Sequence, residues 1–275
     1  MKSIIYIILI SLTVLAGCNG TSKSEELGPS TQNKLSQRQI IDLTHSFSKE
    51  TVYWVTSKEF ELDTVYVGET DKGYYYAAYN FTTAEHGGTH MDAPIHFSKN
   101  GQTVDEVPLE NLIGDAIKID VSAKASNNPD YQIRVEDLTN WEKKENTEIS
   151  DGSIVLLYTG FTKYYPDKMK YLGTDKRGEE AIKDLHFPGL SPEAAKWLVK
   201  NRNIHAIGID TPSIDYGQSQ YFGSHVILFN ENIPAFENLA NLDKLPENGF
   251  EIIALPMKIK GGSGGPLRII AILDK

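Results

Sequence analysis

Three of the seven histidines of this 275-residue chain fall between positions 86 and 96. They belong to the stretch His86-Gly87-Gly88-Thr89-His90-Met91-Asp92-Ala93-Pro94-Ile95-His96-Phe97, which adds one carboxylate and several backbone-shaping residues. Two histidines four apart could share a helix face, as in the HExxH metalloprotease motif. The glycines between them and Pro94 after them oppose a helix. An extended chain is the better reading, with side chains alternating faces at a period of two. His86, His90, Asp92 and His96 all occupy even positions, so they share one face if no bulge intervenes. Imidazoles and a carboxylate on one face form a metal cradle. The alternative is a set of hydrogen-bonded structural histidines. Burying four such groups unpaired would cost roughly 1–3 kcal/mol each, and a cation removes that cost.

One segment cannot close a metal shell, so the rest of the chain must position further ligands. Gln39–Phe47 alternates as a first strand carrying Asp42 and His45. Tyr-rich Gly73–Thr82 reads as a strand leading into the histidine segment. Ile113–Val121 and Ser153–Tyr158 read as buried strands, and Val135–Lys144 as a surface helix with Leu138 and Trp141 on one face. Tyr164–Lys183 is polar and aperiodic, a loop or lid with some helix near Glu179–Lys183. Ser191-Pro192-Glu193 starts a helix by N-cap, proline at the first position and an early acid. Ile204–Ile209 follows as a strand, which suggests an α/β unit. Phe250–Ile259 and Leu267–Leu273 are strands around Gly261-Gly262-Ser263-Gly264-Gly265, read as a flexible turn. Periodicity by itself supports mixed α/β.

The composition is that of a globular protein, with 40% hydrophobic and 23% charged residues. A formal charge of −10 with no basic face argues against a nucleic-acid partner. The start of the chain has its own character. Lys2 precedes an apolar run from Ile4 to Ala16, short for a membrane span and suited to a signal segment. It ends in Leu15-Ala16-Gly17-Cys18, which resembles a bacterial lipobox; an ordinary secretory signal or a non-cleaved anchor is the alternative. Residues 1–17 are expected to be removed, leaving Cys18 lipidated in the cell envelope. Cys18 is the only cysteine, so neither an intramolecular disulfide nor a Cys-rich zinc site is possible. Residues 18–38 read as a polar tether, and residues 39–275 as the folded domain.

The pattern His86-x-Gly88-Thr89-His90-x-Asp92-x-Pro94-x-His96-Phe97 resembles the signature of the cyclase family of metal-dependent hydrolases. That family includes bacterial kynurenine formamidases (arylformamidases) and isatin hydrolases. Ile41-Asp42-Leu43-Thr44-His45, Phe187-Pro188-Gly189-Leu190-Ser191-Pro192-Glu193-Ala194-Ala195, Gly208-Ile209-Asp210-Thr211-Pro212-Ser213, Glu237-Asn238-Leu239 and Ala254-Leu255-Pro256 extend the resemblance over roughly residues 39 to 273. It implies a single α/β domain of the swivelling β/β/α type, with a barrel-like β-rich core flanked by helices, often dimeric. It implies two Zn²⁺ ions, with Mn²⁺ as the alternative, bridged by a carboxylate. His86, His90 and Asp92 would bind the first ion, and Asp92, His225 and Glu237 the second. His96 is then the expected general acid/base, and Trp54, otherwise a plain core residue, the expected aromatic wall. His45 would sit beside the site in a hydrogen-bonding role, while His205 reads as structural and His186 as a loop residue. The implied reaction is hydrolysis of an amide C–N bond by metal-activated water, with N-formyl-kynurenine as first substrate. The competing readings are a cyclic amide such as isatin, or a non-catalytic envelope protein that binds metal or a small ligand.

Overall fold

The computed structural model describes residues 38–273. The expected signal segment 1–17, Cys18 and the tether through residue 37 lie outside the described residues. Arg38, assigned to the tether, pairs with Glu251 at 2.6 Å. The strands are β1 (Gln39–Asp42), β2 (Glu61–Glu69), β3 (Tyr75–Thr82), β4 (His90–Asp92), β5 (Ile113–Asp120), β6 (Gln132–Ile133), β7 (Ile154–Tyr158), β8 (Gly189–Leu190), β9 (Ala206–Ile209), β10 (Ala235–Glu237), β11 (Phe250–Pro256) and β12 (Gly264–Leu273). The α-helices are α1 (Ser122–Ala125), α2 (Val135–Glu145), α3 (Lys168–Leu172), α4 (Pro192–Asn201) and α5 (Gly223–Phe229).

Eight strands run in the order β1-β12-β11-β5-β7-β9-β10-β4, and β4 also pairs with β12. That return pairing closes the strands from β12 round to β4 into a barrel. Long β12 makes the closure possible: β11 covers one edge, while β4 takes Gly264–Pro266 and β1 takes Gln39–Asp42 opposite Ile270–Leu273 on the other. A closed sheet leaves no unpaired edge in the ring. The expected α/β architecture with a barrel-like core and flanking helices is what the chain adopts.

Parallel β5, β7 and β9 are apolar on both faces because each face is covered. Ile154, Leu156 and Ala206 join Phe236, Ile252, Ile269 and Ala271 inside the barrel. Val155, Leu157, Ile207 and Ile209 point the other way, onto Leu138 and Trp141 of α2 and Ala194, Ala195 and Leu198 of α4. Helix α4 begins as its sequence requires, with the Ser191 hydroxyl accepting from the Ala194 N–H at 3.1 Å.

Three local expectations change. The histidine segment is not one extended strand, since β4 is only His90–Asp92 and Pro94–His96 forms a 3₁₀ turn. Gly88, at φ +57°, bends the chain before β4. The Gly261–Gly265 run is a turn only in part: Gly264 and Gly265 are strand residues paired with Asp92 and Met91. Strand β3 pairs with β2, which sequence did not foresee, as a two-stranded ribbon with both faces largely exposed. In the polar segment after Tyr164, α3 and a 3₁₀ turn at Glu179–Asp184 form.

Candidate metal centre

Strand β4 is the spine of the site. Its alternation sends Met91 into the barrel core while His90 and Asp92 share the opposite face. Glu237 of β10 is the register partner of His90, so its carboxylate lies on that same face. Across the other edge, Gly264 of β12 stands opposite Asp92. His86 returns to the cluster through the glycine bend, His96 through the 3₁₀ turn, and His225 comes from α5. Asp92 is the hub: its Oδ1 is 2.7 Å from His86 Nδ1 and 3.0 Å from His90 Nε2, and its Oδ2 is 3.3 Å from His225 Nε2. Glu237 completes the cluster at 3.5 Å from His90 Nε2 and 3.2 Å from His225 Nε2. His90, Asp92, His225 and Glu237 are all at most 3% exposed.

Hydrogen bonds outside the cluster fix which nitrogens face it. His90 Nδ1 lies 2.9 Å from the Gly88 carbonyl, which can only accept, so that nitrogen carries the proton. Its Nε2 is therefore the nitrogen that faces the cluster, buried and without a well-formed hydrogen bond, between two carboxylates. His225 repeats the device, donating Nδ1–H to Asp215 at 2.6 Å and turning Nε2 inward. Lone pairs and carboxylates aimed at one another repel unless a positive charge lies among them.

The ionisation equilibria carry the same message. Burial opposes protonation of His225, but Asp215, Asp92 and Glu237 outweigh it and hold its pKa well above the ordinary value. Burial likewise opposes His90, which Asp92 and Glu237 raise overall. Burial pushes Asp92 up, yet His86, His225 and His90 hold it well below the usual carboxylate range. Burial, with Asp92 beside it, raises Glu237. Without a metal the cluster must collect protons to balance its carboxylates. A divalent cation would supply that charge, and a sulfur-free N/O donor set fits one.

Donor atoms of His86, Asp92 and His96 lie within 4.8 Å of one another, as do those of His90, Asp92 and Glu237. Asp92 belongs to both groups, whereas the expected sets put His86 with His90 and His225 with Glu237. His96 stacks on His86 at 3.8 Å, partly buried at the rim of the cluster. Desolvation by the protein packed against it pushes its pKa down to about 4, against the pull of Asp92. Opposite the polar cluster is a cavity of about 230 Å³ walled by Trp54, Phe97 and Phe222. Trp54 meets Phe222 edge-on at 6.1 Å, and Phe97 lies 5.1 Å from Phe222.

His45 is not a wall of this cavity. It stacks on Tyr165 at 3.7 Å and lies 3.3 Å from the Thr162 hydroxyl, a structural hydrogen-bonding position. His186 pairs with Asp130 on an exposed loop, and His205 extends β9 through a backbone bond to Ser153. Four contributors were not read as site residues from sequence: Asp215, Glu85, Ser263 and Phe222. The first three act through a ligand rather than in the signature. Phe222 sits in a segment with no periodic cue.

The site is that of a hydrolase with a candidate cation-binding cluster. The family description "Putative cyclase" matches residues 41–216, and the chain belongs to this cyclase family. It is 31% identical to an isatin hydrolase of Roseibium aggregatum over 90% of this chain and 89% of that one. It is 25% identical to a kynurenine formamidase of Erythrobacter litoralis, covering 86% and 94% of the two chains. Among solved structures, isatin hydrolase A from Labrenzia aggregata bound to benzyl benzoate superposes with a TM-score of 0.78 at 31% identity, covering 87% and 95%.

Proposed function

We propose that this protein hydrolyses the amide C–N bond of a small aromatic substrate beside the Asp92 cluster. One observation carries the reading: inward-facing imidazole nitrogens and carboxylates converge next to an aromatic-walled cavity. His86, His90, Asp92, His225 and Glu237 would hold the metal, two zinc ions being the proposed complement and manganese the alternative. When bound, such a cation lowers the pKa of water toward about 7 and offsets negative charge developing on the acyl oxygen. His96, neutral above about pH 4, accepts a proton at its ring nitrogen as water attacks and returns it to the leaving nitrogen. Trp54, Phe97 and Phe222 hold the substrate ring and exclude water from that side.

N-formyl-kynurenine, giving kynurenine and formate, is the first substrate for this site. Ring opening of isatin is the second reading. It is favoured by the name of the 31%-identical relative and by cavity walls that include no Lys or Arg among the described residues to meet a substrate carboxylate. The test is product identification by mass spectrometry, with the metal-loaded full chain offered each compound. Hydrolysis of either, lost on chelation, supports the reading; a metal-loaded protein that cleaves neither discards it.

We propose further that the protein is lipid-anchored through Cys18 in a bacterial envelope and forms a homodimer. The lipobox-like Leu15-Ala16-Gly17-Cys18 supports the anchor. The ribbon of β2 and β3 supports the dimer: it exposes Leu62, Val65, Tyr75, Tyr79 and Phe81, and a lone two-stranded ribbon is marginal in water. Labelled palmitate should enter the wild type and not Cys18→Ala, and light scattering should give twice the protomer mass.

A further inference from the structure

His86 faces Asp92 with the opposite nitrogen from His90 and His225, and a second layer of residues accounts for the reversal. The Ser263 hydroxyl oxygen lies 2.6 Å from Glu85 Oε2 and 2.8 Å from His86 Nε2. A serine hydroxyl has one proton, and a carboxylate only accepts, so that proton goes to Glu85. The Ser263 oxygen is then the acceptor of His86 Nε2–H. Ser263 also donates its backbone N–H to the same Glu85 oxygen at 3.1 Å, which holds the carboxylate in place. His86 Nδ1, 2.7 Å from Asp92 Oδ1, is left as the nitrogen that faces the cluster.

The flanking glycines are shaped to these two side chains. A Cβ at Gly262 would lie 2.6 Å from Glu85 Oε1. A Cβ at Gly264 would lie 2.6 Å from His86 Cε1 and 2.4 Å from the Met91 carbonyl oxygen. Contacts that short do not occur in folded proteins, so the Gly-Ser-Gly sequence admits the imidazole and carboxylate where larger residues would exclude them. Pairing of Gly264 with Asp92 sets the height of the cradle along the barrel.

We propose that Glu85 and Gly262-Ser263-Gly264 are positioning residues that select the Nε2–H tautomer of His86, so that Nδ1 is its cation-facing atom. The selection is a property of the protein. Its consequence for metal affinity rests on the cation reading given above. Outer partners of this kind usually contribute ten- to hundredfold to metal affinity.

The experiment reads the imidazole nitrogens of His86 by ¹⁵N-correlated NMR in metal-free full-length protein, for wild type, Ser263→Ala, Ser263→Thr and Glu85→Gln. Zinc affinity is then measured by competition with a chelator. Wild type is expected to show Nε2–H. Ser263→Ala should release the constraint and weaken zinc binding about ten- to hundredfold, with Ser263→Thr restoring both. Glu85→Gln should shift the tautomer toward Nδ1–H, because its amide can donate to Ser263 and free the hydroxyl proton for His86. A wild type whose His86 Nε2 carries no proton, or variants with unchanged tautomer and zinc affinity, would overturn the proposal. A wild type with the expected tautomer that binds no zinc would sustain it and remove the cation reading instead. Should Ser263→Ala fail to fold, the near-isosteric Glu85→Gln decides.

Discussion

Replacing Asp215 by asparagine should weaken His225 as a ligand while keeping part of the support for the helix that carries it. Asp215 accepts the Nδ1–H of His225 at 2.6 Å and the backbone N–H groups of Ser224 and His225 at 3.1 Å each. Those amides belong to the first turn of α5, whose N-cap residue Phe222 offers no side-chain acceptor. Asp215 thus caps the helix from a distance and sets the tautomer of a ligand with the same carboxylate. Oδ2 takes both His225 contacts and Oδ1 takes the Ser224 N–H, so asparagine, with one oxygen, either sets an NH₂ against His225 or keeps the His225 contacts through a neutral acceptor and loses Ser224. The first orientation drives the imidazole proton to Nε2, and the second holds the tautomer without the carboxylate's charge, so His225 is a weaker ligand in either. Losing a charge-assisted bond costs about 1.5–3 kcal/mol of stability, which lowers Tm by roughly 3–12 °C for a domain of this size. Asp215→Ala also removes the cap, adding about 0.5–2 kcal/mol. Calorimetry of chelated protein measures the stability change. Chelator competition measures zinc affinity, expected to fall about ten- to hundredfold in Asp215→Asn. Wild-type zinc affinity in that variant would refute the orienting role, and equal Tm in all three proteins would refute the cap.

Three further outcomes are expected. Burial holds His45 down to about 4 despite Asp42, so the unfolded chain binds the extra proton between about pH 4 and its ordinary 6.5. Stability is therefore fully present above pH 6.5 and falls as pH drops toward 4, by about 3 kcal/mol at most; urea titrations should show a shallower fall in His45→Gln. Gly87→Ala would place a Cβ 2.0 Å from the buried Tyr53 ring, and should lower stability by about 1–3 kcal/mol in the same titrations. Leu156→Ala empties a fully buried position inside the barrel, with an expected loss of about 2–5 kcal/mol and catalysis per folded molecule unchanged.

Sequence reading reached the site further than the fold. The histidine segment was visible because its residue types are rarely buried without partners, and the structure gathers His86, His90 and Asp92 with His225 and Glu237. What it misjudged was the path of the backbone. Alternation assumed one extended strand, but Gly87, Gly88 and Pro94 break it, so His86 and His96 reach the cluster from a bend and a turn. Buried strands β5, β7 and β9 were legible because apolar runs are short and flanked by turn residues. The pairing that closes the barrel was not, because Gly264-Gly265-Pro266 has no apolar pattern to signal a strand. Asp215, Glu85 and Ser263 were missed for a related reason: Asp215 and Ser263 meet a ligand's far nitrogen and Glu85 holds Ser263, contacts that exist only once distant segments are packed together.

The most direct test titrates zinc into chelated full-length protein while hydrolysis of N-formyl-kynurenine and of isatin is followed in parallel. Activity on at least one should rise from baseline to a plateau as zinc fills the site, and Asp92→Ala should stay flat throughout. Chelated protein that turns over as fast as the loaded form would contradict a cation-dependent hydrolase built on Asp92.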